Sequence, residues 1–125
     1  MTELKFYLCK HCGNIIAFAK NSGVPVMCCG EKMTEIVPNT TDAAVEKHVP
    51  VVTAEGNKVT VSIGSVAHPM TEAHYIDWVA IQTKNGNQRK ALLPTDEPKA
   101  EFPLFPGDEV LTALAHCNLH GLWKK

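Results

Sequence analysis

Cys117 and His120 stand three residues apart in the C-terminal run Cys-Asn-Leu-His-Gly-Leu-Trp-Lys-Lys. Upstream, His48, His68 and His74 lie in short, turn-rich segments, where a scaffold can aim side chains inward. One soft thiolate with several imidazoles suits a transition metal, iron or copper, rather than the oxygen-seeking calcium or magnesium. Four more cysteines, Cys9, Cys12, Cys28 and Cys29, cluster near the N-terminus. Two metal sites of different character are therefore expected.

The five cysteines divide as four plus one. Four thiolates make one closed site, and the fifth serves the histidines. Cys9-x2-Cys12 followed by Gly13 resembles one knuckle of a rubredoxin-type or zinc-ribbon site, in which a short loop converges two sulfurs on one ion. Cys28 and Cys29 are adjacent, and neighbours in an extended strand point to opposite faces. The chain must turn sharply there for both to reach one ion, and Gly30 permits it. Four thiolates suit iron or zinc equally. Lys10 and His11 read as solvated loop residues.

The elements that must position these residues are short. Residues 1–36 carry too little apolar mass for a core, so a metal must hold them together. Residues 37–42, with Pro38 and Asn39, read as a linker. Residues 42–47 could form one helical turn. Beyond them the pattern is β. Residues 58–63 alternate with period two, and residues 75–83 are rich in β-branched and aromatic side chains. Asn85-Gly86 signals a hairpin between residues 76–83 and 88–93. Residues 101–105 and 109–115 are further strands, and Pro98, Pro103 and Pro106 put the first of them on an edge or in a loop. The expectation is a mostly β protein. A small metal-stabilised module over 1–36 precedes an immunoglobulin-like antiparallel β-sandwich over 37–125.

A net charge of -1 gives no basic footprint for nucleic acid. No apolar run approaches the roughly 20 residues that span a bilayer, so no membrane is expected as a partner. The N-terminal stretch lacks the apolar core of a signal peptide, which makes the cytoplasm the default location. Thiols stay reduced there, which favours metal ligation over disulfides.

Four motifs in order, Glu46-Lys47-His48-Val49-Pro50, His68-Pro69-Met70, His74-Tyr75 and Cys117-Asn118-Leu119-His120-Gly121, resemble the motif series of superoxide reductases. The N-terminal Cys-x2-Cys with Cys28-Cys29 resembles the desulforedoxin-like module. Together they resemble the desulfoferrodoxins, the two-iron form, over nearly the whole chain. The resemblance implies one iron held by the imidazoles of His48, His68, His74 and His120 and the thiolate of Cys117, and iron or zinc held by Cys9, Cys12, Cys28 and Cys29. It implies an enzyme that reduces superoxide by one electron to hydrogen peroxide, with electrons from rubredoxin or a similar donor. Glu46 matches an acidic residue that can occupy the open position of ferric iron, and Lys47 the cation beside that position. Such a reaction releases no dioxygen, which suits superoxide detoxification in an anaerobe or microaerophile. The marginal first module and the resemblance together imply a homodimer.

One departure is His116, where the family often has an aromatic residue. It is expected to face away from the site. Trp78 and Trp123 are expected to pack the core or shield the metal. The rival reading is a non-catalytic electron-transfer metalloprotein of blue-copper or rubredoxin type. Blue-copper sites add a weak axial methionine and use two histidines. No methionine follows His120, and four histidines are available. A zinc-stabilised binding module is a second rival.

Overall fold

The computed structural model describes residues 3–125. Its regular structure is antiparallel β with one helical turn. The chain divides into two compact units between Val37 and Pro38.

In the first unit, β1 (Tyr7–Leu8) lies between β2 (Ile15–Ile16) and β5 (Thr34–Glu35). A separate hairpin pairs β3 (Met27–Cys28) with β4 (Glu31–Lys32). Among its described apolar residues only Phe6, Cys9 and Met33 are buried. At roughly 1.5–3 kcal/mol per buried side chain, so small a core does not offset the ordering entropy of some three dozen residues. The apolar run 15–19 yields only a two-residue strand, because Phe18 turns out of line to pack edge-on against Tyr7, with ring centroids 5.1 Å apart.

The second unit is a sandwich. One sheet has the order β10 (Lys99–Pro103), β7 (Lys58–Ile63), β6 (Pro50–Glu55). The other runs β12 (Gly121–Lys124), β11 (Val110–Cys117), β8 (Ile76–Thr83), β9 (Gly86–Ala91). The period-two pattern of β7 sends Val59, Val61 and Ile63 inward against Ile76, Val79 and Ile81 of β8 and Ala113, Ala115 and Cys117 of β11. Cys117 is thus a core residue at the end of a central strand.

Several details depart from the sequence expectations. The hairpin turn is Lys84-Asn85, one residue early, with Thr83 opposite Gly86. Asn85 keeps a negative φ, and its N–H bonds to Thr83 Oγ1 at 3.2 Å, so the left-handed Asn-Gly turn does not form. The proline-flanked strand is an edge strand as expected, shifted two residues towards the N-terminus. Two strands of the sandwich were not anticipated. β6 is an edge strand with four of its six residues exposed, so it has no clean alternation. β12 is only four residues long and lies inside the C-terminal motif. Residues 37–42 are not a free linker. The Asn39 side chain, at φ 63°, accepts from Lys124 N–H at 2.8 Å and donates to Lys124 O at 2.9 Å, which caps the edge of β12. The helical turn α1 spans Val45–His48 and ends on a candidate ligand.

Candidate metal centres

The first candidate centre lies wholly within the first unit. The sulfurs of Cys9, Cys12, Cys28 and Cys29 all lie within 4.8 Å of one another. The knuckle closes through Gly13 N–H to Cys9 O and Cys9 N–H to Asn14 O, both at 2.9 Å. The adjacent cysteines converge because Cys29 and Gly30 form the two-residue turn of the β3–β4 hairpin, with φ of 51° and 76°. Positive φ at both central residues marks a turn whose twist matches the paired strands. Holding a non-glycine residue there costs about 1–2 kcal/mol, a strain that ligation by Cys29 would offset. The sulfurs compete for protons. The backbone N–H of Cys12 brings Cys9 down to about 6. Hydrogen bonds to Cys12 and Cys9 push Cys29 up to about 12. Four thiolates at this spacing require a cation, and iron and zinc both fit the donor set.

The second candidate centre gathers residues from five segments of the sandwich. His48 ends α1, and His68 lies in the loop after β7, its N–H bonded to Ile63 O at 3.2 Å. His74 precedes β8, Cys117 ends β11 at a bulge, and His120 sits in the turn before β12. The ligand atoms of His48, His74, Cys117 and His120 lie within 4.8 Å of one another. His68 is not within that mutual distance of all four, and its Nε2 lies 3.2 Å from His48 Nε2.

The four imidazoles form a square. In the cyclic order 48, 68, 74, 120, neighbouring ring centroids are 4.7, 4.6, 5.0 and 5.0 Å apart, with interplanar angles of 75°, 80°, 83° and 86°. Across the diagonal, His48 and His74 are 6.3 Å apart and tilted by only 32°. The Cys117 sulfur lies beside the rings, 3.8 Å from His120 Nδ1.

Hydrogen bonds fix which nitrogen faces inward. His48 Nδ1 donates to Ala44 O and His68 Nδ1 to Pro69 O, both at 2.7 Å. A carbonyl only accepts, so each Nε2 presents a lone pair. Two lone pairs 3.2 Å apart repel unless a cation lies near both. His120 Nδ1 also stands 3.2 Å from His48 Nε2, and His74 Nε2 is buried with no hydrogen-bond partner. A proton is a poor substitute for the metal. Burial lowers the proton affinity of His48, His68 and His74, bringing His68 to about 4. Burial pushes the Cys117 thiol up, while the N–H groups of Leu119 and His120 favour its thiolate. Carbonyl-oriented neutral imidazoles with one thiolate fit a mononuclear iron.

Glu46 and Lys47 are exposed on α1, directly before His48. Their charges reach the site: Lys47 disfavours protonated His48 and His74, and Glu46 favours protonated His48. His116 turns away. Its Nδ1 bonds Asp77 Oδ1 at 2.7 Å, and its ring lies parallel to Trp78 with centroids 5.4 Å apart. Trp123 serves the site directly, stacking on His48 at 4.8 Å and donating from Nε1 to His120 O at 3.1 Å.

Two residues that sequence reasoning passed over also shape the centre. A Cβ on Gly64 (φ 84°) would collide with Val66 O and stand 2.7 Å from Glu46 O and from Lys47 C. Asn118 binds the chain on both sides of His74. A glycine after an alternating strand and an asparagine inside a ligand motif were the available signals.

The chain matches the desulfoferrodoxin family over residues 40–125. A desulfoferrodoxin homolog of Archaeoglobus fulgidus is 47% identical over 125 residues, covering 99% of this chain and 98% of that protein. The desulfoferrodoxin of Nitratidesulfovibrio vulgaris is 43% identical over 122 residues, covering 98% and 95%. Among solved structures, the superoxide reductase of Treponema pallidum superimposes with a TM-score of 0.84 at 42% identity, covering 99% of each chain. A one-iron superoxide reductase of Giardia intestinalis covers 64% of this chain and 95% of its own, with a TM-score of 0.53 at 35% identity. On its sequence, its sandwich and its two donor clusters, this chain belongs to the desulfoferrodoxin family.

Proposed function

We propose that this chain is a superoxide reductase, reducing superoxide with one electron and two protons to hydrogen peroxide. The observation that carries the reading is the square of four imidazoles beside a buried thiolate. A blue-copper site would use two histidines and one cysteine in a trigonal set. The residues proposed to hold the iron are His48, His68, His74, His120 and Cys117. Ferrous iron bound there supplies the electron and one position for a small anion.

The chain's own residues do the rest. Ala44 O and Pro69 O lock the tautomers of His48 and His68, and burial disfavours protonation of both rings. Cys117, fully buried, keeps its sulfur away from water and from oxidants other than the substrate. Lys47 is proposed to attract the anion, since an exposed cation at the mouth of a site raises the encounter rate. It or a water it orders is proposed to deliver a proton. Glu46 is proposed to close the site between turnovers by competing for the same position.

The first unit is proposed to act as a desulforedoxin-like module with iron or zinc on its four cysteines. The donor is proposed to be rubredoxin or a protein of similar chemistry, and the setting the cytoplasm of an anaerobe or microaerophile. Among the described residues no helix is long and apolar enough to cross a membrane. A homodimer is supported by the apolar side chains the first unit leaves exposed, among them Val24 at 69% and Met27 at 60%.

Metal content by site, read with the optical spectrum, tests the function. Iron in the histidine centre and loss of superoxide reduction in Cys117→Ser are expected. Full activity in that variant refutes the reading. Sedimentation reads the oligomer separately.

A further inference from the structure

His48 and His68 are each oriented by a ring hydrogen bond to a backbone carbonyl. His74 has no such carbonyl among the described residues, and its Nε2 is buried without a partner. Its place in the square is held through the backbone instead. The Thr71 hydroxyl accepts from His74 N–H at 3.1 Å, and Thr71 N–H donates to His74 O at 2.9 Å. On either side, one side chain grips the chain. Asn118 Oδ1 accepts from Tyr75 N–H at 2.9 Å, and Asn118 Nδ2 donates to Ala73 O at 3.0 Å. Asn118 N–H adds a third bond, to Tyr75 O at 3.2 Å.

Asn118 follows Cys117 directly and lies two residues before His120. It therefore fastens the His74 segment to the short turn that carries the thiolate and another imidazole. We propose that Asn118 is a positioning residue that fixes the His74 ring relative to the Cys117 sulfur, in place of the ring hydrogen bond His74 lacks. Both side-chain functions are needed. A primary amide carries its acceptor and its donors on separate atoms, so it can accept from one peptide and donate to another two residues away. The role rests on the ligand set proposed above, and loss of an outer partner of a metal ligand commonly weakens metal binding by about 10–100-fold.

The test uses the full-length, iron-loaded protein and the variants Asn118→Ala and Asn118→Asp. The aspartate keeps an acceptor for Tyr75 N–H and has no donor for Ala73 O. Three readouts are taken: the visible thiolate-to-iron band of the ferric histidine centre, the rate of iron loss to a chelator, and the melting temperature. Asn118→Ala is expected to shift the band and to lose iron about 10–100-fold faster, with Asn118→Asp in between. The cysteine-centre metal should be retained in both. An unchanged band and unchanged iron retention in Asn118→Ala overturn the proposal. If the alanine variant does not fold, Asn118→Asp decides by the same two readouts. A wild-type protein that binds iron without any thiolate band would instead refute the ligand set.

Discussion

Gly64→Ala should separate a close backbone approach from simple turn strain. At φ 84° an alanine carries about 1–2 kcal/mol of left-handed strain. Its Cβ would also sit 2.7 Å from Glu46 O and Lys47 C, whereas ordinary contact begins at 3.4 Å. The neighbours are backbone atoms of Val66 and of α1, already pinned by Val66 N–H to Glu46 O at 3.0 Å and, just past α1, Gly64 N–H to Val49 O at 3.3 Å. They must retreat by some tenths of an ångström, and His48 is the next residue. Overpacking of this kind costs about 1–3 kcal/mol, so the sum is about 3 kcal/mol. For a sandwich of this size that lowers the melting temperature by about 12–24 °C. Gly56→Ala is the matched control, because Gly56 has φ 60° with nothing within 4 Å of the added Cβ. It should lose only the strain and keep full activity. Displacing a ligand by a large fraction of an ångström can cost up to about 100-fold in rate. Thermal melts of both variants and superoxide consumption by the iron-loaded proteins make the comparison. If Gly64→Ala melts with Gly56→Ala and turns over like wild type, the idea that this contact holds His48 in place is wrong.

Trp123→Phe keeps a ring against His48 and loses the donor to His120 O, so it should cost about 1 kcal/mol in a urea titration. Trp123→Ala should cost about 3–5 kcal/mol, and equal losses would contradict the stacking role. Lys47→Glu should slow the second-order reaction with superoxide about tenfold at low salt. Pulse radiolysis at two ionic strengths reads this, and a rate indifferent to the charge reversal argues against steering. Metal-stripped protein should lose stability as pH falls from about 6.5 towards 4. Above that window His68 is neutral in both states. Within it the unfolded chain takes up protons that buried His68, at about 4, cannot. A urea midpoint that stays flat from pH 7 to pH 4.5 would count against the buried neutral cluster.

The identities and order of the donors are local properties of the chain, and so is the chemistry they permit. Cys9-x2-Cys12, Cys28-Cys29, the three spaced histidines and Cys117-x2-His120 are thus readable without a fold. The same holds for β7, whose alternation is intrinsic to which side chains avoid water. Tertiary structure decided what depends on backbone atoms and on distant partners. Ala44 O and Pro69 O choose the ring tautomers, yet a carbonyl belongs to every residue type and leaves no trace in a sequence. β12 and the docked Asn39 gain their stability from pairing across the sheet edge, not from their own pattern. The square of four rings exists only because a sandwich brings the ends of α1, β7, β8 and β11 to one place, over separations no local propensity encodes.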